Sequence, residues 1–196
     1  MSLAKQAKTL TKPQMDAVLA YLTSTRQLQR NRLIFLLSVK AGLRAKEIAS
    51  LKWSMVTDAE GMLTNTIQLT NDASKGNSGR VIPINKDLRA ALVAWMGQEG
   101  RPYSRSPFVI TTERSSHTSS YAVVNLFADW YRALGFTGAS SHSGRRTAIT
   151  GWARRISTVG GSLRDVQLLA GHSALSTTQR YIESDAGAQR RVVDLV

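Results

Sequence analysis

The side chains able to do chemistry in this 196-residue chain are few and widely spaced. There is no cysteine, so a thiolate nucleophile, a thiolate metal site and a disulfide framework are all excluded. Three histidines are present: His117, His142 and His172. His142 stands three residues before Arg145, a spacing that puts both side chains on one face of a helix. His172 follows Ala170-Gly171, and Tyr181 comes nine residues later. Arg44 lies just past Gly42, and Lys75 lies near the tip of an expected hairpin. Each of these has an ordinary explanation when taken singly. An i, i+3 His/Arg pair arises by chance, a lysine in a turn is usually solvated, and a tyrosine on an amphipathic helix usually packs.

Charge narrows the field. The chain has 26 Lys plus Arg against 13 Asp plus Glu, a formal net charge of +13. Eighteen of the basic residues are arginine, whose planar fork grips a phosphate with two hydrogen bonds and stays charged at any working pH. Residues 1–56 hold ten basic and two acidic residues, a net +8; the remainder holds 16 and 11, a net +5. Such a balance favours a polyanion, nucleic acid before an anionic membrane. No run of apolar residues approaches the length that spans a bilayer, and no secretory leader is visible behind Lys5, Lys8 and Lys12. A soluble cytoplasmic protein, nucleoid-associated if bacterial, is the expectation. Hydrophobic residues make up 42%, enough for a real core.

The elements that must position these groups are mostly helical. Thr11 before Pro13 reads as a helix start, with Met15, Val18, Leu19 and Leu22 at helical spacing. Residues 29–41 predict a buried helix closed by Gly42, and a short helix follows over 45–51. The segments Trp53–Thr57, Thr66–Thr70 and Arg80–Ile84 are β-branched-rich and separated by turn residues, which predicts three short antiparallel strands. Further helices are expected from Asn85, over 120–134, 144–156, 163–170 and 177–183, with Ser162 and Ser176 as N-caps, and a brief strand at 108–111. The fold class is α+β, mainly α, in one domain over 11–185, with an N-terminal extension over 1–10 and a tail over 186–196.

Taken in order, the blocks carry more than their parts. They run Gly42-Leu43-Arg44-Ala45-Lys46-Glu47, then Lys75-Gly76-Asn77 with Pro83 eight residues on, then His142-Ser143-Gly144-Arg145. Gly171-His172-Ser173 and Thr177-Thr178-Gln179-Arg180-Tyr181 complete the series. This series resembles the tyrosine recombinases, or phage integrase family, over about residues 10–185. The resemblance implies an integrase-type catalytic domain that cleaves and rejoins double-stranded DNA through a 3′-phosphotyrosine, without metal or cofactor. It implies Tyr181 as nucleophile, and Arg44 and Arg145 as donors to the non-bridging oxygens. His142 would take the tyrosine proton, His172 would hydrogen-bond phosphate, and Lys75 would protonate the departing 5′-oxygen. Glu47 would orient the site; a plain salt bridge to Lys46 or Lys40 is the other reading. Partners implied are DNA, further copies of the chain on DNA, and an accessory DNA-binding protein.

The residue types suit that chemistry. The attacked phosphodiester gains negative charge, and no carboxylate cluster here has metal-ligand spacing, so fixed guanidinium groups are left to meet it. A phenol with an ordinary pKa near 10 is mostly protonated at neutral pH and needs a base or an electropositive site. Three departures from the family pattern stand out. Gly144 replaces a larger apolar residue, the stretch from Arg145 to His172 is long, and no N-terminal helical domain is expected ahead of the first helix. Without that domain, binding is expected to be weak and salt-sensitive, with the Arg/Ser-rich segment 101–120 a candidate DNA loop. The apolar tail residues Val192, Val193, Leu195 and Val196 are a candidate protomer-exchange segment. A type IB topoisomerase-like nicking enzyme and a non-catalytic DNA-binding remnant remain as competing readings.

Overall fold

The computed structural model describes residues 7–74, 78–98, 100, 104–182 and 193–194. Thr11 opens helix α1 (Lys12–Leu22) with a reciprocal capping box: its side chain accepts from the Gln14 N–H while Gln14 reaches back to the Thr11 N–H. Helix α2 (Leu28–Val39) is the centre of the molecule, with every residue from Leu33 to Val39 buried. Its second half, from Leu33, is almost wholly apolar, as befits a helix against which α1, α4 and α6 all pack. Gly42 ends the following turn at φ 63°, in the left-handed region, and α3 (Ala45–Ala49) starts directly after Arg44.

The sheet has two strands, not the three expected. Strands β1 (Thr66–Leu69) and β2 (Arg80–Pro83) pair antiparallel with Ile67 opposite Ile82. Trp53–Met55 is instead a turn of 3₁₀ helix, and Thr57 makes only an isolated bridge to Leu63. The cause is tertiary. The Trp53 N–H is drawn to Pro107 O at 2.9 Å, and the Asp58–Met62 turn folds this stretch back on itself. Phe108 likewise forms one bridge, to Lys52, rather than a strand.

Helix α4 (Lys86–Met96) is capped by Asn85 and α5 (Ser120–Ala133) by Ser119. Helices α6 (Ser143–Arg155), α7 (Leu163–Ala170) and α8 (Leu175–Gln179) complete the chain as described. Ser162 caps α7 as expected, but α8 begins earlier than expected, so Ala174 and not Ser176 is its N-cap. Two apolar clusters result. The larger joins α1–α5 and the sheet, and a small one of Ile149, Val166 and Ala170 ties α6 to α7, with Trp152 and Tyr181 at its margin.

Gly144 is explained by the crossing of α6 over α2. A Cβ at this position would stand 2.9 Å from Ser38 Cβ and 3.0 Å from Val39 Cγ1, and closer still to Ser38 Oγ. The larger residue usual in the family does not fit this crossing. Alanine gains about 1 kcal/mol in helix propensity, but crowding a fully buried crossing costs about 1–3 kcal/mol. Gly144→Ala is therefore expected to lower the melting temperature by several degrees, measured by circular dichroism. A rise would show that α2 yields freely at Ser38.

Candidate active site

Arg145 is the deepest of the charged groups. It projects from the first turn of α6 and is 3% exposed. Its Nη1 donates to Gly42 O at 2.6 Å, and its Nη2 donates to Ala170 O at 2.7 Å and to His172 Nε2 at 3.1 Å. The guanidinium thus joins the turn after α2 to the end of α7. Burial, followed by the charge of Arg44, pushes its pKa down to about 10, which leaves it protonated at neutral pH.

The state of His172 follows from those contacts. A guanidinium only donates, so Nε2 must accept and carries no proton. The proton is on Nδ1, which donates to Thr178 Oγ1 at 2.9 Å. Burial, then the charges of Arg145, Arg44 and Arg80, holds the imidazole pKa down to about 4. The ring is neutral in this arrangement, and hydrogen bonding from Nε2 to a phosphate oxygen requires it to take up a proton there. The loop is fixed by Gly171, at φ 63°, and by Gln167, whose side chain donates to His172 O at 2.9 Å.

Tyr181 stacks on His172, with ring centroids 5.4 Å apart and planes 22° from parallel. The Arg146 guanidinium lies 6.0 Å from the Tyr181 ring centre, within range of a cation–π attraction. His142, exposed and at the N-cap of α6, faces the same cleft. That cleft encloses about 540 Å³ and is lined by Arg44, His142, Arg145, His172 and Tyr181. Five of the six expected catalytic side chains therefore converge. Lys75 lies outside the described residues, as does most of the tail over 186–196.

Glu47 is fully buried and pairs with neither Lys46 nor Lys40. Lys40 bonds Asp87, and Lys46 donates to Ser74 O. Glu47 instead accepts from the Arg44 N–H and Arg44 Nη1, both at 2.8 Å, and from Arg80 Nη1 and Nη2, both at 3.0 Å. Burial alone would raise its pKa, but the hydrogen bonds and charges of Arg80 and Arg44 overcome this and hold it at about 2.

Arg80, Arg146 and Thr178 join the site in the structure without a motif of their own to mark them in the sequence. The only available signal was position: Arg80 closes the Lys75 block, Arg146 follows Arg145, and Thr178 precedes Tyr181 by three. Among the described residues no group of three or more His, Asp or Glu is placed to hold a metal ion. No helix among them is long and apolar enough to cross a membrane.

The model of the phage integrase family matches residues 8–187. The chain belongs to the phage integrase family. Within the family, it is 33% identical to the tyrosine recombinase XerC of Erythrobacter litoralis, over 80% of this chain and 46% of that protein. It is 32% identical to the tyrosine recombinase XerA of Thermococcus onnurineus, over 89% of this chain and 57% of that one. The chain thus spans about half the length of the curated relatives it matches. Among solved structures, the Tn1549 transposon integrase in complex with circular intermediate DNA superposes with a TM-score of 0.75 at 18% identity, over 100% of this chain and 68% of that one. The XerH site-specific recombinase bound to difH superposes with a TM-score of 0.72 at 18% identity, over 98% of this chain and 55% of that one. These likenesses show that the family's integrase-type fold is shared.

Proposed function

We propose that the protein is a site-specific DNA recombinase that cuts and rejoins strands through a 3′-phosphotyrosine. The observation that carries this reading is the meeting of Arg44, Arg145, His142, His172 and Tyr181 in one cleft, with the phenol stacked on an imidazole that itself touches Arg145. In the first step the Tyr181 oxygen attacks phosphorus and the P–O5′ bond breaks. His142 accepts the phenolic proton, and the 5′-oxygen leaves as a hydroxyl after receiving a proton from Lys75. Arg44 and Arg145 donate to the non-bridging oxygens as charge builds on them. The second strand's 5′-hydroxyl reverses the same sequence, so no external energy source is needed. Kinship with XerC and XerA recombinases and with a DNA-bound transposon integrase supports DNA as substrate, and the exchange of a second strand, which needs a second nucleophile, calls for further copies of the chain as partners. We place the activity in the cytoplasm.

The target sequence can be found in the same experiment that tests the chemistry. The full chain is mixed in EDTA with a random-sequence duplex library carrying nicks, and DNA that stays attached through denaturation is recovered and sequenced. The wild type is expected to enrich a defined site. Tyr181→Phe is expected to recover none while still shifting that site in a gel. Attachment by Tyr181→Phe equal to the wild type, or no attached DNA from the wild type, would end the proposal.

A further inference from the structure

Two guanidinium groups share one buried carboxylate beside the cleft, and they are not equivalent. The Arg44 side chain is 23% exposed and lines the cleft; the Arg80 side chain is 5% exposed and does not. Both Glu47 oxygens are divided between them, each taking one donor from Arg44 and one from Arg80. Arg80 forms the two-pronged pair, the geometry in which guanidinium and carboxylate match best. Its Nε donates at 2.9 Å to Leu169 O, three residues before His172. Gly171 leaves room for it: a Cβ there would stand 2.9 Å from Arg80 Cδ and 3.1 Å from Arg80 Nη1.

The charge count gives this arrangement a purpose. Two cations and one anion leave a net charge of +1, and the inner, two-pronged pair neutralises the carboxylate. The uncompensated charge then falls on Arg44, the member facing the cleft. A buried ion pair is a poor source of stability compared with apolar side chains of the same size, so a geometric role accounts for it better.

We propose that Arg80 is a positioning residue, the buried counter-ion of Glu47 that leaves the Arg44 charge available to the scissile phosphate and fixes the loop before His172. This rests on the recombinase reading for the identity of the phosphate. Without Arg80, the Arg44 guanidinium is the remaining partner of Glu47 and turns its charge inward.

The test compares Arg80→Met, Arg80→Lys and Arg44→Ala with the wild type, as full chains, on the captured DNA site. Each is assayed for single-turnover attachment on an ordinary phosphodiester and on a methylphosphonate at the scissile position. The methylphosphonate lacks one charged oxygen and so needs less from Arg44. Arg80→Met is expected to lose roughly 100-fold on the phosphodiester and to lose far less on the methylphosphonate, in parallel with Arg44→Ala. Equal losses on both substrates would mean a merely structural role and overturn the proposal, as would wild-type rates. Arg80→Lys keeps a charge beside Glu47 without the fork, is expected to fall between the two, and carries the comparison if Arg80→Met does not fold. A DNA-free measurement separates this inference from the recombinase reading. The side-chain ¹⁵N resonances of Arg44 are expected to shift and to exchange differently in Arg80→Met. Unchanged resonances overturn the positioning role even if the wild type cleaves DNA. Shifted resonances in a protein that attaches no DNA uphold it and sink the recombinase reading alone.

Discussion

Replacing Arg145 by lysine is expected to slow attachment of Tyr181 to DNA by roughly 100- to 1000-fold, the range seen when one fixed donor to a developing oxyanion is removed. The substitution keeps the positive charge, so the loss reports geometry. Arg145 reaches Gly42 O and Ala170 O from two different nitrogens while presenting a third contact to His172. An ammonium is a point charge on a flexible stem and cannot span those acceptors in one plane. Two buried carbonyls lose their donor, at about 1–3 kcal/mol each where no substitute is found. Duplex affinity should change little, because it is spread over many basic groups of a chain with net charge +13. Single-turnover attachment and gel-shift titration on the same duplex separate the two effects. Wild-type attachment by Arg145→Lys would remove this arginine from the reaction.

The second large effect is on stability, and it depends on pH. Glu47→Gln leaves Arg80 buried with no carboxylate beside it, which is expected to cost about 3–5 kcal/mol at neutral pH. The folded carboxyl is held at about 2 against an ordinary value of 4.5, so folding favours its ionised form. That contribution is fully present above about pH 4.5 and fades as the pH falls toward 2. The gap corresponds to about 3 kcal/mol. Urea unfolding of wild type and Glu47→Gln should therefore give stabilities that are far apart at pH 7, draw together as the pH falls below about 4.5, and meet only below about pH 2. Asp87 and Asp165 also titrate below their ordinary range, through Lys40 and through Ser162, but both are unchanged in the variant and cancel in the difference. A gap that stays constant with pH would place the stabilisation elsewhere than in the Glu47 charge.

How much of this site could be read from residues alone depended on the length of chain over which each contact acts. Arg44, His142, Arg145, His172 and Tyr181 were legible because their blocks follow a fixed order, although no single one was informative. The helices were legible where periodicity and caps agree, as at Thr11, Asn85 and Ser162. Trp53–Thr57 has the composition of a strand, but its backbone is held by Pro107 at one end and by residues 63–64 at the other, and composition carries no trace of that division. Gly144 stood out only as a departure from the family pattern; its reason is Ser38 and Val39 on another helix. Arg80 stood in the sequence only as the first residue of an expected strand, and its contacts to Glu47 and Leu169 are what set it apart.

The two apolar clusters differ greatly in size, and the reacting groups are divided between them. Arg44 stands just before α3 and Glu47 on it, a helix anchored in the larger cluster by Ile48 and Ala49, whereas Tyr181, just past the five-residue α8, sits at the margin of Ile149, Val166 and Ala170. Thr178 holds that helix to His172 by a single side-chain bond. The phenol therefore rests on a smaller store of buried apolar contact than the groups of α3 do. On the recombinase reading, a change that loosens the small cluster would strike the nucleophile before it reached the arginine and carboxylate of the larger one.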